Sequence, residues 1–261
     1  MSPTTLDLIA RTIDWIERHP SGGRGRPSCP TSDVIRTLEA FAGTGLCWRR
    51  LLAAAERASG STLHRRLLHW AARAVLPRVH RVLLRMVRSG PEAAAQAWNI
   101  VVDSSSVRAR HGGDLTGPNP TDRGKPGTKY HLAVSADGLP VAAVASAANV
   151  PDTVLFPELL RLARVACASI ARVYADAGYD SRENRAACLH EGIQPLIRKA
   201  GTEHGSGLGA VRSVVERVLG RLLRHKRLEP RHDRDCLIWA MCAPFSSAGA
   251  HVSLSRPQPG S

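Results

Sequence analysis

Apolar residues recur every three or four positions through the first third of the chain. Leu6, Ile9, Ile13 and Ile16 mark one helical face that ends before His19-Pro20. The same period predicts a helix over 31–42, with Thr31 or Ser32 as its cap, and a third over 47–58. A fourth over 61–72 puts Leu63, Leu67 and Trp70 on one side, and a fifth covers 75–87 before Gly90-Pro91. Because only Ser59-Gly60 separates them, 47–58 and 61–72 read as a helix-turn-helix-like pair. From residue 98 the pattern changes. Trp98-Asn99-Ile100-Val101-Val102 is a buried strand ending in Asp103. Residues 129–134 and 139–147 read as strands joined through the turn signal Asp137-Gly138. Next come a helix over 151–167, a strand over 171–176, a helix over 181–190 and a strand over 194–197. A Gly-rich loop over 201–209 then leads into a helix over 210–228.

This order predicts an all-helical region over 1–96 and an α/β domain over 97–245. Pro244 and the sequence beyond it predict a loose tail over 246–261. Three antiparallel strands followed by α/β crossovers make a mixed five-stranded sheet of the ribonuclease H-like kind. The crossover rules set its last two strands parallel to the first.

Charge adds a partner to this picture. The chain has 261 residues, 36 basic against 22 acidic, for a formal charge of +14. Arginine outnumbers lysine 32 to four, which a GC-rich genome explains, but codon bias does not create an excess of base over acid. An excess of this size points to a polyanion, most commonly nucleic acid. No apolar run is long enough for a membrane span and no secretory leader is evident, so a soluble, cytoplasmic protein is expected. The six cysteines lack metal-site spacing and read as reduced packing residues.

Three acids stand out by position. Asp103 ends the first predicted strand, Asp176 ends the fourth, and Glu216 lies in the last helix. The topology makes the first and fourth strands neighbours, so Asp103 and Asp176 meet at one end of the sheet. Two adjacent carboxylates repel unless a cation lies between them, and oxygen donors select a hard ion such as Mg²⁺. Glu216 falls at the margin of the apolar stripe Val211, Val214, Val215, Val218 and Leu222, within reach of the strand ends. Asp180 is close enough to compete with Asp176, which comes first off the strand.

Five segments, in order, carry a resemblance: Val101-Val102-Asp103-Ser104-Ser105, residues 127–134 (Gly127 to Val134), Ala148-Asn149-Val150-Pro151-Asp152, residues 175–181 (Ala175 to Ser181) and Arg212-Ser213-Val214-Val215-Glu216-Arg217. Together they resemble the DDE transposases of bacterial insertion sequences, insertion sequence family five in particular. The resemblance implies that Asp103, Asp176 and Glu216 are the catalytic triad and hold two Mg²⁺, with Mn²⁺ as a substitute. It implies cleavage and strand transfer on double-stranded DNA, at the element's terminal inverted repeats and at a target, by a homodimer or higher assembly. It also implies that the helical region reads the DNA ends. Arg49, Thr62, His64, Arg65 and Arg66 are its candidate contacts, with Lys129, Arg212 and Arg217 gripping phosphate near the acids. Gly209 and Arg221 depart from the family pattern, which carries aromatics there. The alternative is a catalytically impaired remnant that only binds DNA. A nuclease of the same fold acting on RNA–DNA hybrids would need no end-reading region.

Overall fold

In the computed structural model, which describes residues 5–17, 28–90, 96–199 and 209–234, four helices precede the sheet. They are α1 (Thr5–Glu17), α2 (Thr31–Thr44), α3 (Gly60–Ala72) and α4 (Val75–Val87). On α1 and α3 the buried residues include those the periodicity selects, Ile9, Ile13 and Ile16 on α1 (Leu6 is only half-buried) and Leu63, Leu67 and Trp70 on α3, while α4 buries Val75, Leu76, Val79 and Leu84. The cap of α2 differs from expectation. Pro30 occupies that position without a side-chain bond, and the Thr31 hydroxyl instead donates to Asp14 at 2.5 Å.

The helix expected over 47–58 is replaced by a single 3₁₀ turn, Trp48–Arg50, and an irregular segment closed by a bridge between Ala54 and Arg57. Leu52 to Arg57 are all exposed. The alanines there favour a helix locally, but they offer too little apolar surface to hold one against a neighbour. The helix-turn-helix-like pair is therefore reduced to α3 and an irregular lead-in. Gly60 makes that junction possible: its N–H bonds Leu51 O at 2.8 Å, and a Cβ there would lie 1.9 Å from Trp48 O.

Among the described residues six strands form one sheet: β1 (Trp98–Arg108), β2 (Gly117–Pro118), β3 (Pro126–Ser135), β4 (Pro140–Ala147), β5 (Ile170–Ala175) and β6 (Gln194–Ile197). The five main strands run in the order β4-β3-β1-β5-β6, and the two-residue β2 pairs with the start of β3. β3 is antiparallel to β1 and β4, whereas β5 and β6 are parallel to β1 and to each other. This is the ribonuclease H-like arrangement. Strand β1 continues five residues past Asp103, because β3 pairs with it as far as Gly127 opposite Arg108. Its parallel ladder with β5 stops at Val102 opposite Ala175. Asp103 thus ends a ladder rather than a strand.

Helices α5 (Asp152–Ala166), α6 (Arg182–His190) and α7 (Gly209–Leu222) complete the described elements. Ile100, Val102, Val173 and Ala175 face α5, with Phe156 and Leu159. Val101, Leu132 and Val134 face α7 and meet Val215, Val218 and Leu219. Helix α7 ends at Leu222, six residues short of expectation, because the chain then folds back. Arg227 N–H bonds Ala42 O and Arg231 N–H bonds Arg108 O. The helical region and the sheet share one core, in which Leu38, Phe41, Leu67 and Leu76 join Val107, Tyr130, Ala145 and Leu228. The Gly-rich loop over 201–208, Pro244 and the tail lie outside the described residues. Among the described residues no helix is long and apolar enough to cross a membrane, and Cys29, Cys47, Cys167 and Cys188 form no disulfide.

Candidate functional site

Side chains alternate along a strand, so the core assignments settle where the acids point. Val101 faces α7, and Asp103 follows it two positions on. Tyr174 also packs on the α7 side, and Asp176 is two positions after it. Both acids therefore project toward the helix that carries Glu216. Asp103 is enclosed: its carboxyl is raised to about 6, chiefly by burial and then by the Asp176 and Glu216 charges, against the lowering effects of Ser104 N–H and Arg212. The Ser104 N–H donates to Asp103 Oδ1 at 2.8 Å. Asp176 caps the 3₁₀ turn Ala177–Tyr179, accepting from Gly178 N–H at 3.0 Å.

Arg212, one turn before Glu216 on α7, lies between two of the acids. Its Nη2 is 4.0 Å from Asp176 Oδ2 and 3.7 Å from Glu216 Oε1. The guanidinium supplies the positive charge that three neighbouring carboxylates demand, in the place where a cation would act. Among the described residues no three His, Cys, Asp or Glu side chains are drawn together tightly enough to enclose an ion. The chemistry of the donor set nevertheless fits one: three carboxylates, one of them enclosed with its charged form disfavoured. Asp180, the competitor, accepts from Arg185 at 2.8 Å, and Arg185 continues to Ile197 O at 2.7 Å.

Behind the acids lies a partly buried polar network whose members, apart from Lys129, carry no role from sequence. Asp152 begins α5 and accepts from Lys129 Nζ at 2.7 Å and from Ser104 Oγ at 3.1 Å. Lys129 also donates to Val150 O at 2.9 Å, so its ammonium is engaged inside the fold rather than offered to phosphate. Tyr179 Oη and Ser146 Oγ flank His131 at 3.1 and 3.0 Å. Burial pushes His131 down to about 4, so it is neutral at pH 7. Ser146 Oγ donates to Ala147 O at 3.1 Å. A neutral imidazole donates through one ring nitrogen and accepts through the other, so His131 links the two hydroxyls. Asp152, Gly178 and Tyr179 all lie inside segments that carry the resemblance; what the spacing does not reveal is that a Cβ on Gly178 would stand only 3.0 Å from Asp152 Oδ2.

The expected DNA contacts divide. Arg49, Arg65 and Arg217 are exposed. Arg65 lines an open groove of about 810 Å³ with Arg57, Ser59, Thr62, Arg66 and His69. Thr62 is tied to the helix cap, its N–H donating to Ser59 Oγ at 3.3 Å. His64 stands edge-on to Trp48 at 5.1 Å. Arg66 turns inward, donating to Thr31 Oγ1 at 2.9 Å, 3.6 Å from Glu17, with its guanidinium over Trp70.

The family model described as the transposase DDE domain matches residues 95–248. Over 158 residues the chain is 43% identical to the transposase named for insertion sequence element IS402 of Burkholderia cepacia, covering 58% of this chain and 73% of that protein. It is 40% identical over 77 residues to an uncharacterised 16.2 kDa protein of the same element, covering 30% of this chain and 51% of that one. Among solved structures, the simian T-cell lymphotropic virus intasome with PP2A regulatory subunit B56 gamma is similar at 12% identity and a TM-score of 0.38. That match covers 62% of this chain and 57% of that one.

Proposed function

The chain belongs to the family of transposases with a DDE domain, and on that premise we propose that it binds the ends of an insertion element and cuts and joins DNA there. The observation that carries this reading is the convergence of Asp103, Asp176 and Glu216 on the α7 side of the sheet, at the end of the β1–β5 ladder. These three residues would hold Mg²⁺, two ions, or Mn²⁺ in its place. When bound, the metal would supply Lewis-acid activation of the attacking hydroxyl and stabilisation of the leaving 3′-oxygen. Asp103 is held toward α7 by its Ser104 N–H bond and keeps a high affinity for positive charge because it is enclosed. Arg212 would exchange its carboxylate partners for a DNA phosphate once a cation takes up their charge. Exposed Arg217 would contact the same strand.

Arg49 and Arg65 would hold the terminal inverted repeat from the helical region, with Thr62 and His64 beside them. Paired ends call for a homodimer or larger assembly on double-stranded DNA. A second reading, a DNA-binding remnant without cleavage, is favoured by one observation: Arg212 lies between Asp176 and Glu216. A labelled element-end duplex separates the two. With Mg²⁺ the wild-type chain is expected to nick the repeat end and join it to target. Asp103→Asn should abolish both steps while leaving end binding within about twofold. Cleavage that survives Asp103→Asn overturns the triad, and end binding without any cleavage by the wild type supports the remnant.

A further inference from the structure

We propose that Asp152 is the positioning residue of the cation site, holding the β1 segment that presents Asp103 in register with the turn that presents Asp176. The inference rests on the reading of those two acids as cation ligands. One carboxylate stands beside both segments. Asp152 Oδ2 accepts the hydroxyl of Ser104, the residue whose N–H fixes Asp103 at 2.8 Å. The same oxygen lies against Gly178, whose N–H fixes Asp176 at 3.0 Å; a Cβ on Gly178 would stand 3.0 Å from Asp152 Oδ2 and 3.1 Å from Asp176 Oδ1. The other oxygen, Oδ1, is held by Lys129, which also grips Val150 O where the chain enters α5. Strands β1 and β3, the turn after β5 and the start of α5 therefore meet at one side chain.

Asp152 is not itself a ligand in this arrangement. Both its oxygens are engaged, and an ammonium 2.7 Å away opposes a second cation at the same carboxylate. Its action is through Ser104 and Gly178, as outer partners orient the ligands of metal sites generally. Tyr179 and His131 close the network from behind, and neutral His131 adds no charge to it.

The test is Mn²⁺ binding to the full chain without DNA, followed by electron paramagnetic resonance, beside circular dichroism and end-duplex binding as checks of fold. Wild type should bind Mn²⁺ and Asp103→Asn should lose it. Asp152→Asn, Ser104→Ala and Gly178→Ala should each weaken binding about 10-fold or more with thermal unfolding and end binding retained. The double variant Asp152→Asn/Ser104→Ala should bind no more weakly than the poorer single one, since the two act through one bond. Should Asp152→Asn fail to fold, Ser104→Ala and Gly178→Ala carry the test, because each leaves the Lys129–Asp152 pair intact. Folded Ser104→Ala and Gly178→Ala proteins with wild-type affinity overturn the positioning role. Mn²⁺ binding that is absent from wild type, or unchanged in Asp103→Asn, overturns the cation-site reading beneath it.

Discussion

Burial lifts Asp103 to about 6 from an ordinary 3.8, while burial lowers His131 to about 4 from 6.5. The two shifts act on stability with opposite sign. Between about pH 4 and 6 the folded chain keeps the Asp103 proton that the unfolded chain has released, so this group's contribution falls as pH rises. Over about pH 4 to 6.5 the unfolded chain protonates its histidine first, so the His131 contribution falls as pH drops. In wild type the two dependences offset each other. Asp103→Asn leaves only the second, and its urea stability in EDTA should rise more steeply with pH across this window. At pH 7 the same variant should be about 1–2 kcal/mol more stable than wild type. That is less than the roughly 3 kcal/mol of a two-unit shift, because the asparagine amide is itself a polar group that costs free energy to bury. An Asp103→Asn protein less stable than wild type in EDTA would contradict the enclosed position assigned to this carboxylate.

Adjacent arginines on α3 do different work because a helix turns by about 100° per residue. Arg65 is exposed beside the groove, whereas Arg66 points inward to Glu17, Thr31 and Trp70. The Glu17 side chain is 1% exposed, with Trp70 Nε1–H donating to it at 3.0 Å. Arg65→Ala should weaken end binding and reduce its salt dependence by about one counterion with stability unchanged. Arg66→Ala should instead lower stability by about 1–3 kcal/mol, since buried Glu17 loses a cation. Salt titration of duplex binding and urea denaturation check the pair. Equal effects on binding would show that both residues lie on the DNA face. Sequence alone groups the two together, as neighbouring basic residues near a helix start; the choice between them comes from where Leu63, Leu67 and Trp70 are buried.

Across the whole molecule, the segment after α7 ties the helical region to the sheet. The Arg227 guanidinium lies 4.2 Å over Phe41 and 5.8 Å from the Trp48 ring, and it donates to Asp233 at 3.1 Å. Trp48 Nε1–H reaches the same Asp233 oxygen at 3.2 Å. Arg231 is buried between Thr128 and the backbone of Arg234, and Tyr130 Oη donates to Leu228 O at 3.0 Å. With one core common to helices and sheet, calorimetry should show a single unfolding transition. Arg227→Ala should lower stability by about 2–4 kcal/mol, since it leaves the largely buried Asp233 carboxylate without its cation and removes the stacking on Phe41. Two resolved transitions in wild type would mean that the shared core does not couple the halves.

The order of strands and helices from residue 98 onward was legible in the sequence, because each element is bounded by turn residues and keeps one period throughout. The first strand needs no polar–apolar alternation to be read: Ile100, Val101 and Val102 form a continuous apolar run, buried because helices cover both faces of the sheet. The five main strands follow in the expected order. The same order set Asp103 and Asp176 after neighbouring strand segments and Glu216 on the last helix, although Asp103 follows the end of a ladder rather than of a strand. Tertiary structure decided what depends on partners far along the chain. Residues 47–58 carry a helical pattern, yet no neighbour buries the alanines at 53–55, so they form a turn and an irregular lead-in. Lys129 and Arg66 look like surface cations until Asp152 and Glu17 are placed beside them. Asp152 meets Ser104 and Gly178 only after a strand crossover and a helix bring separate segments together. Periodicity records how a segment buries its own face; it holds no information about which distant carboxylate will be waiting when the sheet closes.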